Sequence, residues 1–422
     1  MHRRTALALC GSVFGTGCLG ALGDRTPADR ADDESPLPAT ADDATSPRAD
    51  EWPTFGADAG NRSTNPATTG PADRPGIEWT TNTDLGTVFA SPVVADGLVI
   101  QSDSGESPAV VAFDADTGTE RWRFTPEGGA RSAPAVHDGT VYVGDMAARF
   151  YALDAEDGTE QWRLDATPHP LATAPPTVVD GTVFVPGRGA FLALDAEDGT
   201  ERWRHEFEEF STNVVGAPAV ADDRAYVVVG DGTVVAFDTA TGDTEWTHTP
   251  AQDVSTAPVA AGRSLFVAGQ GESALIALDA ATGDVRWRRD LAGQEVHAGP
   301  VVAGGTVVAT STSPGGCFLV GNDDCTPSGA RGVLEAFDVE TGERRWRFAS
   351  ERGESAVGGT PVSDGQRVFV PLGTGLAAVE LDTGERRWWR DLDIEFTRSA
   401  PALAGGRLVV SGDDGRLYSL GG

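Results

Sequence analysis

The stretch Ala152-Leu153-Asp154-Ala155-Glu156-Asp157-Gly158-Thr159-Glu160-Gln161-Trp162 places a turn between an apolar run and a second run that ends in tryptophan. Apolar segments on both sides of a Gly- and Asp-rich turn predict a β-hairpin. Asp154 can accept hydrogen bonds from the turn amides that follow it, and Gly158 permits a positive φ. Trp162 offers a large flat apolar surface and one N–H donor, which suits packing against a neighbouring unit.

This unit recurs along the chain, and its turn glycines are spaced 40, 41, 43, 41, 59 and 42 residues apart. A period of this size indicates a repeat protein, in which each unit buries its apolar face against its neighbours. The last copy is weaker, because Glu380 stands where the other copies have Asp. The pattern predicts structural docking roles for Trp79, Trp122, Trp162, Trp203, Trp246, Trp287, Trp346 and Trp388, and for Gly118, Gly158, Gly199, Gly242, Gly283, Gly342 and Gly384.

Each repeat contains four strand signals, which predicts a four-stranded propeller blade. The first strand of each blade starts near a proline, and eight such prolines occur: Pro92, Pro134, Pro176, Pro218, Pro258, Pro300, Pro361 and Pro401. The sequence ends at Leu417–Gly422, before an eighth tryptophan strand, and Ile77–Thr80 supplies the missing strand. We therefore predict an all-β, eight-bladed propeller whose last blade is closed by N- and C-terminal strands, so that no sheet edge is left open at the seam.

The Ala-x-Asp-x-x-Thr/Asp-Gly-x-x-x-Trp unit resembles the tryptophan-docking motif of quinoprotein-type propellers. That superfamily includes the pyrroloquinoline-quinone (PQQ) dehydrogenases and the non-enzymatic BamB-like lipoproteins. The resemblance covers residues 77–422, and Trp52–Gly56 is similar to the lead-in that such chains often have. It implies that residues 51–422 form a PQQ-like propeller of the BamB-like branch, but fold alone does not decide function.

The N-terminus, Met1–Thr5, is basic and precedes a short apolar run, as in a secretory signal that is too short to span a membrane stably. Its paired arginines resemble a twin-arginine export signal. The stretch Gly15–Cys18 resembles a lipobox, which makes Cys18 the predicted lipidation site, although Cys18 is incidental if the signal is an ordinary cleaved one. We predict a signal peptide over 1–17 and a disordered tether over 18–50, with a root-mean-square reach of roughly 30 Å.

The charge balance is strongly acidic, with a net charge of -32 and a pI near 4.4, and all 32 basic residues are arginine. Such a negative field disfavours binding to nucleic acid and to anionic lipid surfaces. Salt at 1 M shortens the screening length to about 3 Å and damps the self-repulsion. The composition therefore indicates adaptation to high salt, and an acidic mesophilic secreted protein is the alternative.

Two cysteines of the predicted mature chain, Cys317 and Cys325, have seven residues between them in the sixth repeat. Outside the reducing cytosol such a pair predicts a disulfide, worth about 2–3 kcal/mol by loop-closure entropy. The sixth repeat exceeds the others by about 18 residues, and this insertion spans Ser311–Gly332. Loops that depart from a repeat's length often hold function, so we predict a recognition loop, with simple loop decoration as the alternative.

The sequence contains few of the motifs that would indicate a cofactor or metal site. The resemblance to PQQ alcohol dehydrogenases would imply two adjacent cysteines stacked on the quinone, and Cys317 and Cys325 are not adjacent. The histidines are spread along the repeats, and the sequence contains no H-E-x-x-H or C-x-x-C motif. Asp154–Gly158 superficially resembles a calcium loop but is not followed by the closing bidentate Glu. We predict no cofactor, with PQQ and calcium as alternatives.

Together these features predict an exported, lipid-anchored and monomeric scaffold on the extracellular face of the cytoplasmic membrane. It would bind a protein or cell-envelope component, and not nucleic acid. One alternative is a PQQ-dependent oxidoreductase. Another is a carbohydrate-binding surface module, because Trp52, Trp389 and Phe210 lie outside the repeat pattern and could stack on sugars.

Overall fold

The structure is a computed structural model. It describes residues 46–85, 90–103, 108–165, 174–207, 213–250, 254–269, 273–296, 298–313, 331–351, 354, 359–394 and 399–422. The predicted signal peptide and Cys18 lie outside these residues. Among the described residues, no helix is long and apolar enough to cross a bilayer.

The strands form eight antiparallel sheets of four strands each, which confirms the predicted eight-bladed propeller. Blades 1 to 4 contain β2 (Val93–Ala95), β3 (Leu98–Asp103), β4 (Ala109–Asp114) and β5 (Glu120–Phe124); β6 (Ala135–His137), β7 (Thr140–Gly144), β8 (Arg149–Asp154) and β9 (Glu160–Asp165); β10 (Thr177–Val179), β11 (Thr182–Pro186), β12 (Ala190–Asp195) and β13 (Glu201–Glu206); and β14 (Val214–Ala221), β15 (Arg224–Val229), β16 (Val234–Asp238) and β17 (Thr244–His248). Blades 5 to 8 contain β18 (Val259–Ala261), β19 (Ser264–Gly269), β20 (Ala274–Asp279) and β21 (Val285–Asp290); β22 (Val301–Ala303), β23 (Thr306–Ser313), β24 (Arg331–Asp338) and β25 (Arg344–Ala349); β26 (Val362–Ser363), β27 (Arg367–Leu372), β28 (Gly375–Glu380) and β29 (Arg386–Asp391); and β30 (Ala402–Ala404), β31 (Arg407–Ser411), β32 (Arg416–Gly421) and β1 (Gly76–Asn82).

The eighth blade joins the two ends of the propeller. Its strand order is β30, β31, β32 and β1, and β1 pairs antiparallel with β32 from Gly76 opposite Gly421 to Asn82 opposite Arg416. The predicted closure by N- and C-terminal strands is therefore confirmed.

The apolar runs of the repeat explain how deeply each strand of a blade is buried. In blade 2 the second strand, β7, is buried at every residue, whereas the outer strand, β9, alternates between exposed and partly buried residues. Adjacent blades cover both faces of an inner strand, which explains why these strands are mostly apolar. The hydrophobic core accordingly lies between blades, as where Val110 of blade 1 clusters with Val141 and Tyr151 of blade 2.

The first strands of neighbouring blades contact each other in a closed circle, which places them around the central channel. A proline directly precedes seven of these strands, where its missing N–H does not interrupt the sheet. The exception is Pro218, which lies inside β14 where the pairing with β15 shifts register between Val215 and Ala219.

The blade connections lie on two faces. The turns between first and second strands and between third and fourth strands share one end of the propeller, which we call the turn face; Asp138-Gly139 and Ala155–Gly158 are examples from blade 2. The remaining connections, within blades and from blade to blade, form the opposite loop face; the segment 145–148 is an example.

Candidate functional site

Adjacent blades are joined by the tryptophan motif. The Nε1 of Trp122 donates a hydrogen bond of 2.8 Å to the carbonyl oxygen of Ala155 in blade 2. Its ring lies so close to Gly158 that a Cβ built there would be 2.6 Å from the ring. Equivalent contacts pair Trp79 with Gly118, Trp162 with Gly199, Trp203 with Gly242, Trp246 with Gly283, Trp287 with Gly342 and Trp346 with Gly384. These residues hold the ring of blades together and offer little surface to a ligand.

The aspartate of the motif organises the turn on which the tryptophan of the preceding blade rests. Asp338 accepts hydrogen bonds from the backbone amides of Glu340 and Thr341, at 3.0 and 2.9 Å, and pairs with Arg345 at 2.7 Å. The Thr341 amide, followed by Arg345, lowers the pKa of Asp338 to about 2. The carboxylate is therefore ionised throughout the neutral and mildly acidic range, and its function is structural.

The eighth blade has no motif turn between its third and fourth strands to contact Trp388 of blade 7. Instead, Nε1 of Trp388 donates a 3.0 Å hydrogen bond to the carbonyl oxygen of Pro71, which lies N-terminal to β1. Residues 46–71, which we call the closing segment, thus replace the absent turn at the seam.

The closing segment also crosses the turn-face end of the central channel. Trp52 exchanges backbone hydrogen bonds of 2.6 and 2.9 Å with Val94 of blade 1. Within the described residues, the closing segment binds the inner part of seven blades. Further backbone hydrogen bonds run from Val136 to Pro53, Val220 to Ala59, Ala260 to Gly60, Val302 to Arg62, Ser363 to Ser63 and Gly405 to Ala49. Main chain therefore covers this end of the channel.

Buried polar groups fix the closing segment in place. Nδ2 of Asn61 donates to the carbonyl oxygens of Ala217 and Pro258, at 2.9 and 3.2 Å, which joins blades 4 and 5. The Asp58 carboxylate is buried and pairs with Arg62 at 2.7 Å. Burial raises the pKa of Asp58, and Arg62 offsets part of this effect. An unpaired charge at this depth would be costly, so the pair holds the segment in one conformation.

The turn face is acidic and contains shallow clefts between blades. One of them, of about 670 Å³, is lined by Asp96, Arg121, Asp138, Asp154 and Glu156 among others. Asp154 uses its oxygens within the turn, accepting from the Glu156 amide at 2.8 Å and from Nε2 of Gln161 at 3.4 Å. In the described part of the chain, no three His, Cys, Asp or Glu side chains converge in a way that could hold a metal ion.

The loop face contains the insertion of the sixth repeat. The structure shows that its first and last residues are strand, because β23 and β24 each run for eight residues and pair as far as Ser313 opposite Arg331. Residues 314–330, which include the predicted disulfide of Cys317 and Cys325, lie outside the described residues.

The start of this long hairpin is fixed to blade 5. The amide of Thr312 donates to the carbonyl oxygen of Glu295 at 2.8 Å, and the Gln294 amide donates back to Thr312 at 2.9 Å. The Gly293 amide donates to Oγ of Ser311 at 3.1 Å. A segment of the preceding connection thus extends the sheet beside β23.

The return strand is fixed to the connection that follows blade 6. Gly332 donates to the carbonyl oxygen of Glu354 and accepts from the Ser350 amide, both at 2.8 Å. Glu354 in turn pairs with Arg386 of blade 7 at 2.9 Å. We call residues 292–295, 311–313, 331–332, 350–351 and 354 the hairpin base.

A buried carboxylate completes the hairpin base. Glu335 is 1% exposed, and its oxygens accept from the Ala292 amide at 2.7 Å and from Arg344 at 3.2 Å. Because both oxygens are occupied, Glu335 supports the base and is not free to bind a ligand. The base therefore connects the described residues on both sides of 314–330 to neighbouring parts of blades 5, 6 and 7.

The predicted aromatic contacts to sugars are only partly available. Trp52 is 1% exposed and paired with blade 1, so its prediction as an exposed stacking residue is wrong. The sequence did not indicate the burial of Trp52, because the backbone pairing that buries it leaves no pattern of residue types. Trp389 is partly buried between blades 6 and 7, and Phe210 lies outside the described residues.

Among the described residues, the buried acids do not fit a calcium-bound quinone, because calcium needs carboxylate oxygens directed at the ion. The buried acids of the described chain are already occupied. Asp145 accepts from the amides of Ala147 and Arg149 and from the Tyr151 hydroxyl, and Asp364 pairs with Arg367 at 2.9 Å. Asp58 and Glu335 are bonded as described above.

The sequence matches the family described as Outer membrane protein assembly factor BamB over residues 72–177, 170–324 and 330–421. The chain belongs to this family. Among solved structures, BamB from Moraxella catarrhalis is 18% identical with a TM-score of 0.61, over 82% of this chain and 98% of that one.

Two dehydrogenases are similar in structure to this BamB-family chain. Quinohemoprotein alcohol dehydrogenase from Comamonas testosteroni is 19% identical with a TM-score of 0.68, over 89% of this chain and 81% of that one. A europium-containing methanol dehydrogenase is 13% identical with a TM-score of 0.67, over 89% of this chain and 98% of that one. At such identities the likeness is one of fold. Comparison with curated proteins finds no match.

Proposed function

We propose that this BamB-family propeller is a scaffold that binds a protein or cell-envelope partner through its loop face at blade 6. The observation that supports this most directly is the hairpin base, which fixes both ends of the insertion to neighbouring blades. A recognition loop on a rigid base loses less conformational entropy on binding than one on a mobile base. The proposal includes no bound quinone or metal, since the buried acids already have partners.

We further propose that the protein is exported and anchored by a lipid on Cys18. The closing segment supports a consistent orientation, because the chain enters the propeller at the turn face, where the Gly405 amide donates to Ala49 at 2.8 Å. A tether attached there would start from the turn face, at the opposite end of the propeller from the blade 6 hairpin. A partner would then reach the blade 6 hairpin without passing the anchor.

We propose high salt as the working environment. The support is the net charge of -32 with arginine as the only basic residue type. Acidic turns such as those of Asp96, Asp138 and Glu156 lie close together on the turn face, where dissolved salt would screen their repulsion.

The test removes the loop and keeps its base. Residues 314–330 are replaced by an Asn-Gly turn that joins Ser313 to Arg331, a connection suited to a two-residue hairpin. The parent and the variant are then cross-linked in native envelope at high salt, and captured partners are quantified. We expect capture by the loop variant to fall to background, while its melting temperature stays near that of the parent.

The matched control changes the opposite face, with Glu156→Gln and Glu197→Gln on exposed turn residues. This variant should capture partners as the parent does. Undiminished capture by the loop variant would contradict the assignment to blade 6. In a parallel assay the folded protein is mixed with PQQ and Ca²⁺ and then gel filtered, and a quinone spectrum that stays with the protein would favour an oxidoreductase.

A further inference from the structure

An arginine joins the strand ends of blade 3 at the turn face. Arg202 stands directly before the docking tryptophan, and its guanidinium donates to the Oγ1 of Thr182. The same guanidinium donates to the carbonyl oxygen of Gly181 at 2.9 Å and to Oδ2 of Asp195 at 2.8 Å. A hydroxyl, a carbonyl and a carboxylate thus surround one planar guanidinium. We call this arrangement the arginine clamp.

Blade 6 contains a second arginine clamp. Arg345 donates to the Oγ1 of Thr306 and to Oδ2 of Asp338, the latter at 2.7 Å. Thr306 lies opposite Asp338 in the sheet, just as Thr182 lies opposite Asp195 in blade 3. The clamp therefore belongs to the structure of the repeat, and its acceptors hold a guanidinium wherever the repeat supplies one.

Blade 2 has the acceptors of the clamp without its arginine. Thr140 follows Gly139 and lies opposite Asp154 in the sheet, as in blade 3. The residue before the tryptophan is Gln161, which is exposed, accepts from Thr140 at 3.2 Å and donates to Asp154 at 3.4 Å. Every other blade has arginine either as the first residue of its second strand or before its tryptophan: Arg121, Arg202, Arg224, Arg286, Arg345, Arg367 and Arg387, and Arg407.

The clamp position in blade 2 is open space. In blades 3 and 6, a Cβ built on Gly181 or Gly305 would lie 3.9 Å from the clamp guanidinium. A Cβ built on Gly139 would meet no atom of the described chain within 4 Å. Gly139, Asp154 and Gln161 line the cleft of about 670 Å³ between blades 1 and 2, which is within the size range of small-molecule sites. A guanidinium from outside the chain can therefore reach the three acceptors.

The other side of this cleft carries a positive charge. The side chain of Arg121 in blade 1 is 58% exposed and comes no closer than 4.0 Å to Asp114. Leu98 stands where blades 3 and 6 have threonine, so Arg121 has no hydroxyl acceptor there. Arg121 lines the same cleft, where its guanidinium is available to the carboxylate of a ligand.

We propose that the clamp position of blade 2 binds an arginine side chain supplied from outside the chain, either as free arginine or as an arginine of a partner protein. Its guanidinium would donate to Thr140, to the Gly139 carbonyl oxygen and to Asp154. A guanidinium presents its donors in a planar fork, whereas a lysine ammonium is a single point charge, so the clamp should prefer arginine. The site lies on the turn face and does not use Glu156 or the blade 6 hairpin, so it holds or fails independently of the loop-face proposal.

The test titrates the full protein with three small probes in moderate and in molar KCl, and binding is followed by saturation-transfer difference NMR. L-Arginine keeps the α-carboxylate that Arg121 can pair with, N-acetyl-arginine amide stands for an arginine within a protein chain, and N-acetyl-lysine amide is the matched control. We expect both arginine probes to bind, and the lysine probe to bind at least about tenfold more weakly than the arginine amide, a difference of about 1.4 kcal/mol. Tighter binding of L-arginine than of its amide would assign the site to free or C-terminal arginine. Equal or tighter binding of the amide would assign it to an internal arginine of a partner protein.

Two substitutions close and duplicate the site. Gln161→Arg gives blade 2 its own clamp and should weaken both arginine probes at least about tenfold. Gln161 is exposed and the new guanidinium would have its three acceptors in place, so the melting temperature should not fall. Arg202→Gln opens the clamp of blade 3 and should add a second binding equivalent.

The proposal is overturned if neither arginine probe binds the parent, if the lysine probe binds as tightly as the arginine amide, or if Gln161→Arg leaves binding unchanged. A folded Arg202→Gln variant that gains no second site would also contradict it.

Discussion

Gly158→Ala tests the docking contact between blades 1 and 2. Gly158 has φ of +74°, so an alanine there costs about 1–2 kcal/mol from backbone strain alone. Its Cβ would also lie 2.6 Å from the Trp122 ring, which must shift at an overpacking cost of about 1–3 kcal/mol. The shift would weaken the 2.8 Å bond from Trp122 to Ala155, worth about 1 kcal/mol net. These terms add to a total loss of about 2–6 kcal/mol.

Gly139→Ala is the matched control in the same blade. Gly139 has φ of +71°, but a Cβ there meets no atom within 4 Å, so only the strain of about 1–2 kcal/mol should appear. The free energy of unfolding would be measured by urea titration in molar KCl, with tryptophan fluorescence and circular dichroism required to give the same midpoint. Equal losses for the two variants would refute a docking role for the Trp122–Gly158 contact.

Other outcomes follow from the same contacts. Deleting residues 51–82 removes most of the closing segment and all of β1, and should cause aggregation on gel filtration; a monomer that melts like the parent would contradict the role of closure. The pKa of Asp338 is about 2, below its ordinary 3.8, so its stabilisation is present above pH 4 and is lost as pH falls toward 2; the melting temperature should fall over that interval, and less so for Asp338→Asn. Melting temperature should also rise steeply from low to molar salt, and a flat dependence would remove the case for salt adaptation. Cys18→Ser should release the protein from membranes, and full retention in the membrane fraction would exclude the lipid anchor.

The architecture could be predicted from sequence because each blade repeats the same local chemistry. Glycine at a positive φ, an acceptor at Asp154 and a large ring at Trp162 are side-chain signals that recur about every 40 residues. The closure was also predictable, since Trp79 lacked a blade of its own and the last repeat lacked a tryptophan.

The path of the closing segment could not be predicted. Its bonds to seven blades are mostly between backbone groups, and backbone bonding leaves no pattern of residue types. For the same reason the burial of Trp52 was missed, and so was the hairpin base, where Thr312 pairs with Glu295 through main-chain atoms.

The pairing of β1 with β32 has a consequence for the time course of synthesis. Thr83 and Gly415, which bond beside this pair, are 332 positions apart in the chain. At 5–20 residues per second, the ribosome would need roughly 15–70 s after making β1 to produce its partner. During that interval, β1 with Trp79 lacks its partner strand β32, and the closing segment lacks the complete ring of blades to which it binds. The ring of blades in a nascent chain therefore cannot close until β32 has left the ribosome, and the edges of the first and last blades stay unpaired until then.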